Sequence, residues 1–372
     1  MRIGIDVRAL QWQAGGVQEY TRHVVRALLA SEKRHQYVLF GNAWRGTPPL
    51  DFPAKGPFHK TCYLRNPNKL LHASLVMFDR PRIDNLIHHH TGVRVDLMFY
   101  PNIHFIANSP NCASVVTMHD LSYHHCPDLY SRKSRFWHRI VRPRTITARA
   151  THIIAVSNAT RNDLIASYGI DGSTITVTPL DCAEEFKDRR HGGPHRVRDV
   201  ILLFGADHLR KNAEGLREAF LTARARSTTL QKYTLVLIGR GMTRARSHAA
   251  LRHEGIVHRE LVSRHERIDL YQRAALIAFP SFMEGFGIPL LEAAHMRVPI
   301  VCANHSSIGE VIGMGAYYVN PYNTRELAKA LIDILTDTAL ATSLTNDAYA
   351  AASSYSWDRT ASITRSVFEK VL

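Results

Sequence analysis

No stretch of this 372-residue chain approaches the roughly 18 uninterrupted apolar residues that a membrane-spanning helix needs. The opening decapeptide, MRIGIDVRAL, lacks the apolar block and small-residue cleavage site of a secretory leader, so a cytoplasmic location is expected. Cysteine is sparse. The five present (Cys62, Cys112, Cys126, Cys182 and Cys302) are scattered and show no C-x-x-C spacing, which argues against a disulfide framework and against a zinc knuckle. There is no internal repeat of solenoid period and no low-complexity tract. Acidic residues are short in the first half: residues 1–180 hold 22 Lys and Arg against 11 Asp and Glu, residues 181–372 hold 25 against 21, and the whole chain carries +15. That field suits an anionic partner, and nucleic acid, an acidic lipid surface or a phosphorylated acceptor would each satisfy it.

What is present is a globular composition, 45% apolar and 21% charged, at a length that implies two domains. Short β-branched and apolar runs alternate with helix-length amphipathic segments, the pattern of βα units around parallel sheets. Strands are expected at Ile3 to Val7, Tyr37 to Phe40, Leu97 to Tyr100, Ser114 to Met118 and Ile153 to Val156. In the second half they are expected at Val200 to Phe204, Thr234 to Ile238, Leu276 to Phe279 and Pro299 to Cys302. The polar segment Asp188 to Asp199, with its Gly-Gly-Pro, reads as a connector between two doubly wound domains. Ligands of such sheets bind at the carboxyl ends of strands, so a cleft is expected where the two domains face each other. Residues 357–372 read as a helix with an apolar stripe at Ile363, Val367 and Val371.

The densest motif is Phe279-Pro-Ser-Phe-Met-Glu284-Gly285-Phe286-Gly287-Ile288-Pro289-Leu-Leu-Glu292-Ala-Ala. A buried strand ends, a glycine loop follows, and Pro289 stands where a helix would start. Gly285 and Gly287 allow close backbone approach, and their N–H groups with the positive end of the helix would attract a diphosphate. Glu292, expected in the first helical turn, can accept hydrogen bonds from vicinal ribose hydroxyls; Glu284 can do the same for a sugar. By themselves the glycines could form only a turn and Glu292 only complement the helix dipole. Two acids separated by seven residues, straddling Gly-Phe-Gly-Ile-Pro, resemble the signature of the family-4 retaining glycosyltransferases of the GT-B fold.

That resemblance implies two Rossmann-like, doubly wound α/β domains facing a cleft. Residues 1–187 would bind the acceptor, 188–356 the nucleotide sugar, and the helix 357–372 would cross back to the first domain. Further motifs match the family. Gly205-Ala-Asp-His-Leu-Arg210-Lys211-Asn212 follows a strand, and its two cations resemble those that hold the donor diphosphate, with Leu209 where the family usually has Pro. Asp6-Val-Arg8 and the turn Ala14-Gly15-Gly16-Val17 match the donor-phosphate loop. His119, at the end of Val115-Val-Thr-Met, is implied to contact the donor sugar near the reacting carbon. Ser157-Asn158-Ala-Thr160 is similar to a segment that lines the cleft. By the resemblance the catalytic residues are His119, Glu284, Arg210 and Lys211. The donor is held by Gly15, Gly16, Gly205, Arg210, Lys211, Gly285, Phe286, Gly287, Ile288 and Glu292. No cofactor is implied beyond the nucleotide-diphosphate sugar as co-substrate. The segments Thr117 to Tyr130 and Pro280 to Glu292 are similar to bacterial mannosyltransferases of surface polysaccharide synthesis, which favours GDP-mannose. Front-face displacement, with the departing phosphate taking the acceptor's proton, is the mechanism the family implies. No D-x-D motif signals a donor-bridging metal, and neither His88-His89-His90 nor His124-His125-Cys126 has partners at ligand spacing.

From Leu129 to Asn162 there is no acidic residue, but there are eight Lys and Arg, with Tyr130, Phe136 and Trp137 interleaved. Arg132, Lys133, Arg135, Trp137 and Arg139 suit an anionic membrane surface at the inner face of the plasma membrane, or a lipid-diphosphate or polysaccharide acceptor. A solvated helix with Phe136, Trp137 and Ile140 buried fits the same residues. Three rival functions remain at this stage. A nucleic-acid-binding protein would explain the charge, yet no recognised module is present. Another GT-B enzyme, such as a sugar-nucleotide epimerase or glycogen-type synthase, and a non-catalytic module of the same fold are the others.

Overall fold

The computed structural model describes residues 1–11, 15–31, 34–44, 56, 58–187, 199–240 and 254–372. The connector expected at 188–199 therefore lies outside the described residues except for Asp199, and Ala14 also lies outside them. Two compact units form: one of Met1–His125, Ser131–Leu180 and Ser356–Leu372, the other of Cys126–Tyr130 and Asp181–Tyr355.

The first unit is built on β1 (Arg2–Asp6), β2 (Gln36–Asn42), β3 (His59–Leu64), β4 (Leu97–Tyr100), β5 (Ala113–Met118), β6 (His152–Ala155) and β7 (Ile175–Val177), in the spatial order β3-β2-β1-β4-β5-β6-β7. The second is built on β8 (Val200–Phe204), β9 (Thr234–Ile238), β10 (Ile256–Arg259), β11 (Ala274–Phe279), β12 (Ile300–Ala303) and β13 (Tyr317–Val319), in the order β10-β9-β8-β11-β12-β13. Every neighbouring pair of these strands is parallel. The reason lies in composition. Runs such as Val-Ile-Leu-Leu-Phe in β8 and Ala-Ala-Leu-Ile-Ala-Phe in β11 are buried at every position. Such strands have no polar face and must be covered on both sides, which helical crossovers of parallel strands accomplish.

In each sheet the strand order reverses at one place, between β1 and β4 and between β8 and β11. Loops leaving the carboxyl ends on either side of such a point diverge and leave a crevice, so β8 and β11 deliver both of the motif-bearing loops of the second unit to one spot.

The helix Trp357–Val371 belongs to the first unit. Its buried stripe is Trp357, Thr360, Ala361, Thr364, Val367 and Phe368, a broader face than the expected Ile363, Val367 and Val371. Trp357 stacks on His23 at 5.0 Å, and Phe368 meets Phe99 of β4 at 5.2 Å. The chain passes from the first unit to the second after Leu180, whereas the expected boundary is at residue 187. Among the described residues no helix is long and apolar enough to cross a membrane, and all five cysteines are free.

Candidate functional site

β8 ends at Phe204, and Gly205 turns the chain with φ 74°, a conformation costly to any residue with a Cβ. A Cβ there would also meet the Lys211 stem at 3.3 Å. The turn leads into a short helix, Leu209–Lys211, and then Asn212, at φ 56°, starts the helix Ala213–Arg226. The loop after β11 lies alongside, tied by the Phe282 N–H donating to the Arg210 carbonyl at 2.8 Å. These two loops bring three charged side chains together. Arg210 Nη1 lies 2.9 Å from Glu284 Oε2, and Lys211 Nζ lies 2.5 Å from Glu284 Oε1. Arg210 Nη1 also donates to the Met283 carbonyl at 3.0 Å, and the Lys211 ammonium stands 4.2 Å from the Phe279 ring centroid. Lys211 and Glu284 are both buried. Burial by itself would raise the Glu284 carboxyl, but the Arg210 and Lys211 cations overcome it and hold the group at about 2. The Glu284 main chain is fixed as well: its N–H donates to Ser306 Oγ at 3.1 Å, and its carbonyl accepts from Ser307 Oγ at 2.9 Å.

Three residues further on, Gly287 adopts φ 104° and opens the helix Ile288–His295, with Pro289 in its first turn. Gly285 is not among the left-handed glycines, so only Gly287 of the pair needs glycine's freedom. The Phe286 ring turns inward, edge-on to Tyr355 at 5.7 Å, so its main chain is the part that can face a ligand. Glu292 stands in the second turn, not the first, because the helix begins at Ile288. A dipole-complementing role is weakened accordingly. Its Oε2 accepts instead from Tyr271 Oη at 2.8 Å and pairs with the Arg267 guanidinium. Arg267 and Tyr271 sit one turn apart on the helix Arg264–Arg273, and sequence reasoning passed over both. Their i, i+4 spacing behind the Ser263/Glu266 capping box was the available signal. Arg267 also stacks over Phe204 at 4.6 Å, which joins Glu292 to the end of β8.

In the first unit, Gly15 (φ 138°) and Gly16 are exposed at the start of the helix Gly16–Ser31, and a Cβ on either would meet nothing within 4 Å. Arg8 does not reach out as a phosphate ligand would. It is buried against Asp6, with Nη2 2.7 Å from Asp6 Oδ2, and donates to the Phe105 carbonyl at 2.9 Å. His119 follows β5. Its Nε2 lies 2.9 Å from the Pro101 carbonyl, which can only accept, so Nε2 carries the hydrogen and Nδ1 the lone pair. Burial pushes its pKa below the ordinary imidazole value, and the group is neutral. The Ser157 segment serves this residue from behind. Ser157 is buried and caps the following helix, while Thr160 Oγ1 donates to the His119 carbonyl at 3.1 Å.

On the basic helix Arg132–Val141, the side chains of Arg132, Lys133, Arg135, Phe136 and Arg139 are exposed. Trp137 is half-buried against Phe105, with ring centroids 6.2 Å apart, so it is a packing residue and Phe136 is the outward aromatic. His88, His89 and His90 lie in the last turn of the helix Ile83–Thr91, where imidazoles complement the dipole. One trio among the described residues has metal-ligand chemistry, Asp181, Cys182 and His295, with ligand atoms within 4.8 Å of one another. The Lys187 ammonium already pairs with Asp181, and burial holds the Cys182 thiol protonated, which disfavours a cation.

Two family profiles divide the chain between them. One described as "Glycosyltransferase Family 4" matches residues 14–180, and one described as "Glycosyl transferases group 1" matches residues 185–351. The O-antigen chain mannosyltransferase B of Escherichia coli is 27% identical over 267 residues, 66% of this chain and 67% of that protein. The serotype-specific mannosyltransferase WbdA of Escherichia coli is 30% identical over 242 residues, 60% of this chain but only 29% of the relative. Among solved structures, a sucrose-phosphate synthase from Thermosynechococcus elongatus superposes with a TM-score of 0.72 at 16% identity, covering 100% of this chain and 98% of that one.

Proposed function

The chain belongs to glycosyltransferase family 4 of the GT-B fold, and from that premise we propose that it is a retaining, metal-independent hexosyltransferase. It would transfer mannose from GDP-mannose to a lipid-linked or polysaccharide acceptor in surface glycan synthesis. The triad of Arg210, Lys211 and Glu284 carries this reading. Two cations and one carboxylate leave a net positive charge beside the start of a helix, a combination suited to a diphosphate. A diphosphate would draw on Arg210 and Lys211, and Glu284, ionised at every physiological pH, would then accept hydroxyls of the sugar. Main-chain donors near Gly205 and from Gly285 to Ile288 would complete the phosphate contacts, with Gly15 and Gly16 as a second set. Glu292, oriented by Arg267 and Tyr271, would take the ribose. His119 would use its Nδ1 lone pair to accept a hydroxyl of the transferred sugar.

The proposed displacement is front-face. The bond from the anomeric carbon to the β-phosphate oxygen breaks while the acceptor oxygen bonds to the same face of that carbon. The acceptor's proton passes to the departing phosphate, giving a glycoside and a nucleoside diphosphate. Negative charge accumulates on the leaving group, where Arg210 and Lys211 act. The names of the two mannosyltransferase relatives support mannose and a surface polysaccharide. A thermal-shift panel of GDP, UDP, ADP and their sugars tests the donor. Selective stabilisation by GDP and GDP-mannose is expected, and equal response to all three bases would refute the assignment.

The domain roles follow the same premise, acceptor on the first unit and nucleotide sugar on the second. The exposed cations Arg132, Lys133, Arg135 and Arg139, with Phe136 among them, support docking of the first unit on the anionic inner surface of a membrane. Flotation on acidic but not neutral vesicles is the expected result.

A further inference from the structure

The first unit has a groove of about 540 Å³ that the transfer reaction does not use. It lies at the wrong end of the sheet for that: Ala113 and Ser114 open β5, and Thr151 immediately precedes β6, so the groove meets the amino ends of these strands. His119 stands beyond the carboxyl end of β5. Leu75, Phe105, Val141 and Ile146 form an apolar strip of its lining, bordered by the polar Asn108, Ser109, Thr145 and Thr151. At its lip are Met77 and Phe78, the last residues of the helix Asn68–Phe78, 70% and 67% exposed. Two large exposed apolar side chains at the lip of a groove with an apolar strip mark a candidate contact surface.

The charge around the groove has one sign to spare. Asp79 is paired with Arg82 at 3.1 Å. Arg142 and Arg149 line the groove, are exposed, and make no ion pair among the described residues. Arg142 joins the basic helix to the helix Pro143–Arg149 in a left-handed conformation (φ 55°), where glycine or asparagine is the usual residue. The volume falls within the range of small-molecule pockets, about 300–1,000 Å³.

We propose that this groove binds one anionic phospholipid, its acyl chain against Leu75, Phe105, Val141 and Ile146 and its phosphate between Arg142 and Arg149. The proposal rests on the reading of the basic helix as a membrane-facing surface, and adds to it a defined site for a single lipid. Bulk charge attraction places the unit on the bilayer; a seated chain fixes its orientation and lengthens its stay.

The probe is dihexanoylphosphatidylglycerol below its micelle concentration, titrated into the full chain and followed by native mass spectrometry, with dihexanoylphosphatidylcholine as comparison. A saturable one-to-one complex is expected, at least tenfold tighter for the glycerol headgroup. Thr145→Trp, an exposed position that lines the groove, fills it and removes the complex. Arg142→Glu with Arg149→Glu lowers affinity for the anionic lipid at least tenfold and leaves the zwitterionic one unchanged. Unaltered melting temperatures establish that both variants fold. Equal affinity for the two headgroups, a complex that survives Thr145→Trp, or no complex at all overturns the proposal. A triple variant, Arg132→Glu, Lys133→Glu and Arg135→Glu, separates this from the surface reading. It should lose vesicle flotation while keeping the one-to-one complex; undiminished flotation would remove the surface reading alone.

Discussion

Glu284 is a carboxylate whose ionisation is tied to folding. In the unfolded chain it titrates near 4.5, and in the native protein near 2. A depressed native value means that the ionised form is the one the fold favours. The stabilisation is therefore complete above about pH 4.5 and is lost as the pH falls toward 2, with a full size on the order of 3 kcal/mol. Urea unfolding of the wild type and of Glu284→Gln at pH 7, 4 and 3 should show the difference between them shrinking as the pH drops; a gap that stays constant would mean the pairing contributes nothing. Lys211→Ala should lower kcat by about 100- to 1,000-fold, as the loss of one transition-state contact does. Turnover within tenfold of wild type would remove Lys211 from the chemistry. Burial lowers the His119 pKa below the ordinary imidazole value even though its hydrogen bond to the Pro101 carbonyl favours the charged form, so the kcat/KM profile should show no His119 limb above pH 7; a limb there that His119→Asn removes would overturn this. Of these residues, Arg210, Lys211 and Glu284 were legible from their motifs. Their mutual pairing was not, because 73 residues separate the two loops and no local pattern encodes that contact.

At the scale of elements, the strands that sequence patterning found and those it missed divide by position in the sheet. The nine found are all interior strands. The four missed, β3, β7, β10 and β13, are the outermost strands of the two sheets. An interior parallel strand is covered on both faces and reads as an unbroken apolar run, as β8 does. An edge strand such as His59–Leu64 mixes exposed and buried positions, so its pairing comes from its neighbour rather than from its own composition. The start of the helix Ile288–His295 is similarly governed by one residue. Gly287→Ala forces a Cβ into a φ of 104° and to 3.1 Å from Leu290. It should cost about 1–2 kcal/mol of stability and weaken nucleotide binding, both visible in a thermal shift with and without GDP. In the proposed donor site the helix Arg264–Arg273 would act through Glu292, which Arg267 and Tyr271 hold. Tyr271→Phe deletes one hydrogen bond to that carboxylate, worth about 1.5 kcal/mol. It should raise KM for the donor roughly tenfold with kcat little changed; a fall in kcat at constant KM would contradict the ribose assignment.

For the molecule as a whole, the last helix is the instructive part. Its sixteen-residue neighbour Gly16–Ser31 and strand β4 receive Trp357 and Phe368, so the chain's end completes a unit that its beginning started. Deleting residues 357–372 should speed amide hydrogen exchange in β1 and β4 while β8 and β11 keep their protection. Uniform deprotection of both sheets would show instead that the two units unfold together. The sequence alone determined the doubly wound class, the interior strands and the glycine-and-cation motifs, because burial on both faces and glycine turns at strand ends leave local signatures. Only the tertiary structure decided which distant side chains meet. It matched Glu284 to its two cations and Glu292 to Arg267 and Tyr271, buried Arg8 against Asp6, turned Trp137 inward and left Phe136 out. The Glu284 pairing depends on how the loops after β8 and β11 converge where strand order reverses, and the others on what packs around each side chain, properties of the tertiary structure that no local pattern carries.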